Sequence, residues 1–158
     1  MKIPYARIMQ VIACSLLLSA CVSQPTRSSK YVPGLGEIMG QIAMRHTKLW
    51  YAGTAQNWEL AEYEIKELRE GFDEAGELHP ALRHIVETLP VLFAGNMQKP
   101  LAHLEQAVKE RNLVQFAENY EALTKGCNTC HRATGFGFNK IKQPSINPYS
   151  NQDFVTKN

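Results

Sequence analysis

The chain has 158 residues, 44% of them hydrophobic, with 17 basic and 15 acidic side chains. That length fits one domain, and that apolar share is ample for a core, which excludes wholesale disorder. A formal charge of +2 is too small to indicate nucleic acid or a polybasic membrane surface as partner, and four cysteines are too sparse for a disulfide scaffold.

Residues 1–20 read as an export signal. Lys2 and Arg7 make a positive start, and Ile8 to Leu18 is a mostly apolar run of 11 residues. Such a run is too short to span a bilayer as a helix and suits the apolar region of a signal peptide. It ends in Leu18-Ser19-Ala20-Cys21, which resembles the lipoprotein box of bacteria. The resemblance implies that Cys21 becomes the lipidated first residue, tying the protein to a membrane through that lipid. Val22 in place of an acid implies the outer membrane of a Gram-negative bacterium, on its periplasmic side. An ordinary secretory signal cut nearby would leave Cys21 incidental, but either reading places the chain in an oxidising compartment. Removing residues 1–20 takes away Lys2 and Arg7 and no acid, so 15 bases and 15 acids remain and the charge falls to zero. Residues 21–34, with Pro and Ser, read as a lipidated tether.

The body reads as helices. Over 35–53, Leu35, Met39, Ile42, His46, Leu49 and Gly53 share a narrow arc at 100° per residue, predicting an amphipathic helix ended by Gly53. Residues 57–76 predict a second, with Asn57 as N-cap and Trp58, Ala61, Ile65, Leu68 and Phe72 as its stripe. Between Glu59 and Glu77 eight acids face only Lys66 and Arg69, which reads as a solvated face. Pro80, Pro90 and Pro100 suggest a short helix at 80–88 and a longer one at 90–111, kinked or restarted near Pro100. Residues 113–132 predict the last helix, capped by Asn112, with Leu113, Phe116, Ala117, Tyr120, Leu123 and Cys127 on one face. Gly135, Gly137, Pro144 and Pro148 exclude a long helix beyond Thr134, so 133–158 should run extended over the surface. The expected fold is all-α, an antiparallel four-helix bundle over 35–132.

The chemical signal is Cys127-Asn128-Thr129-Cys130-His131, the spacing of c-type haem attachment. Thiols three residues apart lie on one side of a helix and can each add to a vinyl group of the haem. The next imidazole then lies over the haem face and binds iron. A thioredoxin-like thiol pair would follow a strand and open a helix, whereas this motif closes one. A zinc site would need a second ligand pair, which is not evident.

A four-helix bundle with this motif near the end of its last helix resembles the class II c-type cytochromes, the cytochrome c-prime type. The resemblance covers roughly 35–132. It implies one covalently attached haem c, with Cys127 and Cys130 as thioether cysteines and His131 as the proximal iron ligand. It also allows a homodimer. The 27 residues after His131 exceed what that family carries there.

The opposite side of the iron decides function. Met39 and His46 both lie on the first predicted stripe. If that helix runs antiparallel to the last, Met39 falls within a turn of Cys127, while His46 lies about 9 Å along the axis. Met39 is the better distal candidate and His46 the lesser, with both also suited to plain core roles. A Met ligand implies a one-electron carrier working with redox partner proteins. An open position implies a binder of NO or CO, and a haem subunit of a larger complex is the third option. His79, His84 and His103 read as surface or structural, and Trp50, Trp58, Phe116 and Tyr120 as core. Phe136 and Phe138 suit either a cover for a haem edge or an anchor for the tail. Lys125, Arg132, Lys140 and Lys142 make the motif end locally basic. No nucleophile elbow, metalloprotease spacing or phosphate-binding glycine loop occurs, so the chain reads as a carrier rather than an enzyme.

Overall fold

A computed structural model describes residues 31–155, so the expected signal peptide, Cys21 and residues 22–30 lie outside them, as do 156–158. Two units are distinguished, Met1–Tyr31 and Val32–Asn158. Within the second, five helices follow one another: α1 (Leu35–Thr54), α2 (Trp58–Leu78), α3 (Leu89–Asn96), α4 (Gln98–Lys109) and α5 (Leu113–Ala133). The fold is all-helical, with no strand among the described residues. None of these helices is long and apolar enough to cross a membrane.

Apolar faces at helical spacing make the core. Leu49 and Ala52 of α1, Ile65 and Leu68 of α2, Leu104 of α4, and Phe116, Tyr120 and Leu123 of α5 are all buried there. α1 packs chiefly on α2 and α4 chiefly on α5, with α3 resting on α2 and α5. On α1 the fully buried stripe begins at Ile38 rather than Met39, which stays half-buried.

Three helix ends share one hydrogen-bond pattern. After α1, Asn57 N–H reaches Ala52 O at 2.9 Å and Gln56 N–H reaches Gly53 O at 3.0 Å. After α4, Asn112 N–H reaches Ala107 O and Arg111 N–H reaches Val108 O, and after α5 Phe136 and Gly135 repeat the scheme on His131 and Arg132. This is the paired capping that needs one left-handed residue. Gln56, Arg111 and Gly135 supply it, with φ of 57°, 53° and 80°. In the first two junctions the next residue is also the N-cap of the following helix. Asn57 Oδ1 accepts from Leu60 N–H at 3.2 Å, and Asn112 Oδ1 accepts from Gln115 N–H at 3.1 Å. Each cap contributes about 1 kcal/mol.

Two expectations are corrected and a third is met. Gly53 does not end α1, which runs on to Thr54. A Cβ at Gly53 would collide with the Phe116 ring, so the glycine serves close packing. Residues 80–88 are not helical, because the stretch buries no stripe: Val86 is fully exposed, and Leu82 and Ile85 are only partly covered. The restart expected near Pro100 is found, with 90–111 dividing at Met97, so the helices number five among the described residues. Pro100 sits in the first turn of α4 and has no N–H for Asn96 O. The same carbonyl lies against α5, 2.5 Å from a Cβ built on Gly126. Only glycine allows that approach, one residue before Cys127.

Candidate functional site

α1, α2, α3 and α5, together with the segment after α5, line a partly open cavity of about 390 Å³, within the usual range for ligand pockets. Its border brings together all five residues singled out in the core domain: Met39, His46, Cys127, Cys130 and His131. Phe72, Leu89, Phe93 and Met97 make the opposite wall apolar. Along α1 the lining includes Gly36, Gly40 and Ala43, at helical spacing, beside Leu35, Met39, Ile42 and His46. No atom lies within 4 Å of a Cβ built on Gly36 or Gly40. Neither helix packing nor a turn therefore requires these glycines. They leave open space beside the helix at those two positions.

Cys127 and Cys130 are both free thiols and both buried. Burial, then the neighbouring Cys130, pushes the Cys127 thiol up to about 12, and burial raises Cys130 as well. Both remain protonated at neutral pH, the reverse of the lowered thiol that exchange chemistry uses.

His131 stands in the last turn of α5 and is held from outside the helix. Its Nδ1 lies 2.6 Å from the backbone oxygen of Asn139. A carbonyl only accepts, so Nδ1 carries the proton and the neutral ring keeps its lone pair on Nε2. The segment beyond α5 is placed by Asn128, inside the motif. Asn128 Oδ1 accepts from Ile141 N–H at 2.8 Å, and its Nδ2 donates to Ile141 O at 2.8 Å and to Thr124 O at 3.0 Å. Asn139 N–H closes a turn onto Phe136 O at 2.8 Å.

His46 differs from Met39. Its Nδ1 lies 2.9 Å from Tyr120 Oη, and its Nε2 lies 2.9 Å from Thr124 Oγ1. Burial pushes its pKa down to about 4, so the ring is neutral at pH 7. Burial likewise raises the Tyr120 phenol. Both ring nitrogens are thus engaged in the core, whereas the Met39 thioether has no such partner to lose.

The other candidates disperse. His79 Nε2 lies 2.9 Å from Pro33 O. Phe136 borders the cavity at 44% exposure, and Phe138 beside it is 84% exposed. Lys125 pairs with Glu121, and Arg132 donates to Thr129 Oγ1. The acidic face of α2 is not wholly solvated. Glu64 is buried and meets Arg45 at 3.4 Å, while Arg45 reaches Glu67 at 2.7 Å. The tail is better anchored than a surface segment needs to be, since Phe154 is buried with its ring 5.5 Å from that of Tyr51. Sequence reasoning missed the roles of Asn128 and Asn139. The Asn between the cysteines carried no signal beyond its side-chain amide.

No protein-family model matches the chain, no curated protein matches it, and no solved structure matches it.

Proposed function

We propose that this chain is a monohaem c-type cytochrome that carries single electrons and is not an enzyme. One observation carries the reading: two thiols at haem-attachment spacing, an imidazole with Nε2 as its lone-pair nitrogen, and the Met39 thioether all border one apolar cavity. The residues fit haem c. Cys127 and Cys130 would hold it through thioethers, His131 Nε2 would bind its iron, and the open space beside Gly36 and Gly40 leaves room for part of the ring. Bound there, haem c supplies an iron that changes oxidation state by one electron. The residues of the chain do the rest: Phe72, Phe93 and Met97 exclude water from one side, and Phe136 leaves an edge open to a partner protein. Short junctions at residues 55–57 and 110–112 support an antiparallel arrangement of the helices they join, as in a four-helix bundle. In the same reading Cys21 bears the lipid that holds the protein to the periplasmic face of the outer membrane.

Met39 is the proposed distal ligand. It borders the cavity without a competing hydrogen bond, whereas His46 would have to give up Tyr120 or Thr124. A second reading, binding of NO or CO at an open position, is favoured by the small side chains that flank Met39. Visible spectra of the exported protein, ferric and ferrous, with and without CO, test both. The carrier gives a low-spin spectrum that resists CO, and Met39→Ala makes it high-spin. Rapid CO binding by the wild type supports the second reading instead. A protein without a haemochrome spectrum refutes both.

A further inference from the structure

We propose that residues 134–141 are a positioning strap for His131, set in place by Asn128 at the first variable position of the Cys-x-x-Cys-His motif. The haem attachment spacing demands two thiols and an imidazole and leaves residue 128 open. Here that position uses its whole side chain. One amide face pairs with both the N–H and the carbonyl of Ile141, a two-point contact that fixes direction as well as distance. The remaining donor is bonded to Thr124 O, so the amide cannot rotate without losing bonds.

The strap is pinned at both ends. It leaves α5 through the capping bonds of Gly135 and Phe136, and it is clamped again at Ile141. Asn139 lies between these anchors, and its carbonyl takes the Nδ1–H of His131 at 2.6 Å. A carbonyl held by two anchors keeps its aim. A water in its place would not. The bond selects the tautomer with its lone pair on Nε2, orients the ring and makes Nε2 a stronger donor, as outer partners of metal-binding histidines do. Asn128 is therefore a positioning residue that acts on His131 through Asn139. It also gives a role to a C-terminal segment that the motif itself does not require.

The iron-dependent part of the test rests on the haem reading, and the proton-dependent part does not. Three full-length proteins are compared: wild type, Asn128→Ala, and Ile141→Pro, which removes the N–H given to Oδ1 and leaves the motif intact. Imidazole NMR of nitrogen-labelled protein reads the His131 tautomer and the exchange of its Nδ1–H, with or without haem. The wild type should show a protonated Nδ1 in slow exchange, accelerated at least tenfold in either variant while helix content stays the same. With haem attached, the weaker imidazole donor favours the ferrous state. The ferric-to-ferrous ratio at a fixed solution potential should fall about tenfold, equivalent to ~59 mV for one electron. A wild type protonated on Nε2 overturns the strap, as does an accumulating variant with unchanged exchange and potential. Absence of haem alongside a slow Nδ1–H that Asn128→Ala releases refutes the haem reading and supports the strap.

Discussion

Acidification from pH 7 to pH 4 probes a polar group buried beside the cavity, His46. His46 is 4% exposed, and burial lowers its pKa from the ordinary 6.5 to about 4. The unfolded chain takes up a proton below pH 6.5 that the folded chain refuses until about pH 4. Stability from this residue is therefore full above pH 6.5 and declines as pH falls through that window, with no further loss below about 4. At 1.36 kcal/mol per pKa unit, the shift corresponds to a loss of about 3 kcal/mol. His46→Phe is a suitable control because its former partners keep other bonds. Tyr120 Oη can donate to the backbone oxygen of residue 46 at 3.0 Å, and Thr124 Oγ1 donates to Tyr120 O at 2.9 Å. Urea unfolding followed by circular dichroism at pH 7.5, 5.5 and 4 should show the wild type losing about 3 kcal/mol more than the variant. Equal losses would refute a neutral, buried His46. Because His46 is not a proposed ligand, the variant should also keep the wild-type visible spectrum.

Other perturbations follow from the packing. Gly126→Ala sets a methyl 2.5 Å from Asn96 O, a backbone atom, so α5 must move away. A loss of about 1–3 kcal/mol in urea unfolding is expected, with a lower yield of attached haem because Cys127 is the next residue. Arg45→Met leaves the Glu64 carboxylate buried without its cation. The expected loss is about 3–5 kcal/mol at pH 8 and less at pH 5. Burial already raises the Glu64 pKa and losing Arg45 raises it further, so protonation relieves the penalty as pH falls. Thermal unfolding at the two pH values measures the difference. Asn57→Ala removes the cap bond to Leu60 N–H and should cost about 1 kcal/mol with little effect on the cavity.

Periodicity made α1, α2 and α5 legible to within two residues at each end, because each buries one long stripe. Asn57 and Asn112 were legible as caps for the same local reason, a short acceptor just before an apolar run. Pro100 made the restart after Met97 legible too, but 80–88 was not, since that stretch carries apolar residues without a face to bury. The helix ends at Gln56 and Arg111 could not be foreseen either. Both adopt the left-handed conformation without being glycine, and it is the tertiary junction that holds them there. In the site, spacing alone grouped Cys127, Cys130 and His131. A helical stripe offered Met39 and His46 but could not tell them apart by hydrogen bonding, which depends on Tyr120 and Thr124, more than 70 residues away. The strap onto His131 was illegible because its acceptor is a backbone oxygen, and backbone oxygens are the same in every residue.

The two cavity-side glycines of α1 also have a thermodynamic consequence. Gly40, inside the helix, weakens it by about 1 kcal/mol relative to alanine, and Gly36 adds to this near the end. No neighbouring side chain compensates at either position. The first turns of α1 are anchored in the core by Ile38 and Ile42, while Leu35, Met39 and Ala43 lean on the cavity. Local opening there should be more frequent when the cavity holds only solvent than when a rigid group lies against Leu35, Met39 and Ala43. The amide protons of residues 39–44 would thus serve as an internal gauge of cavity filling. Their deuterium exchange should slow sharply as the site is filled, while those of the α4–α5 pairing hold steady.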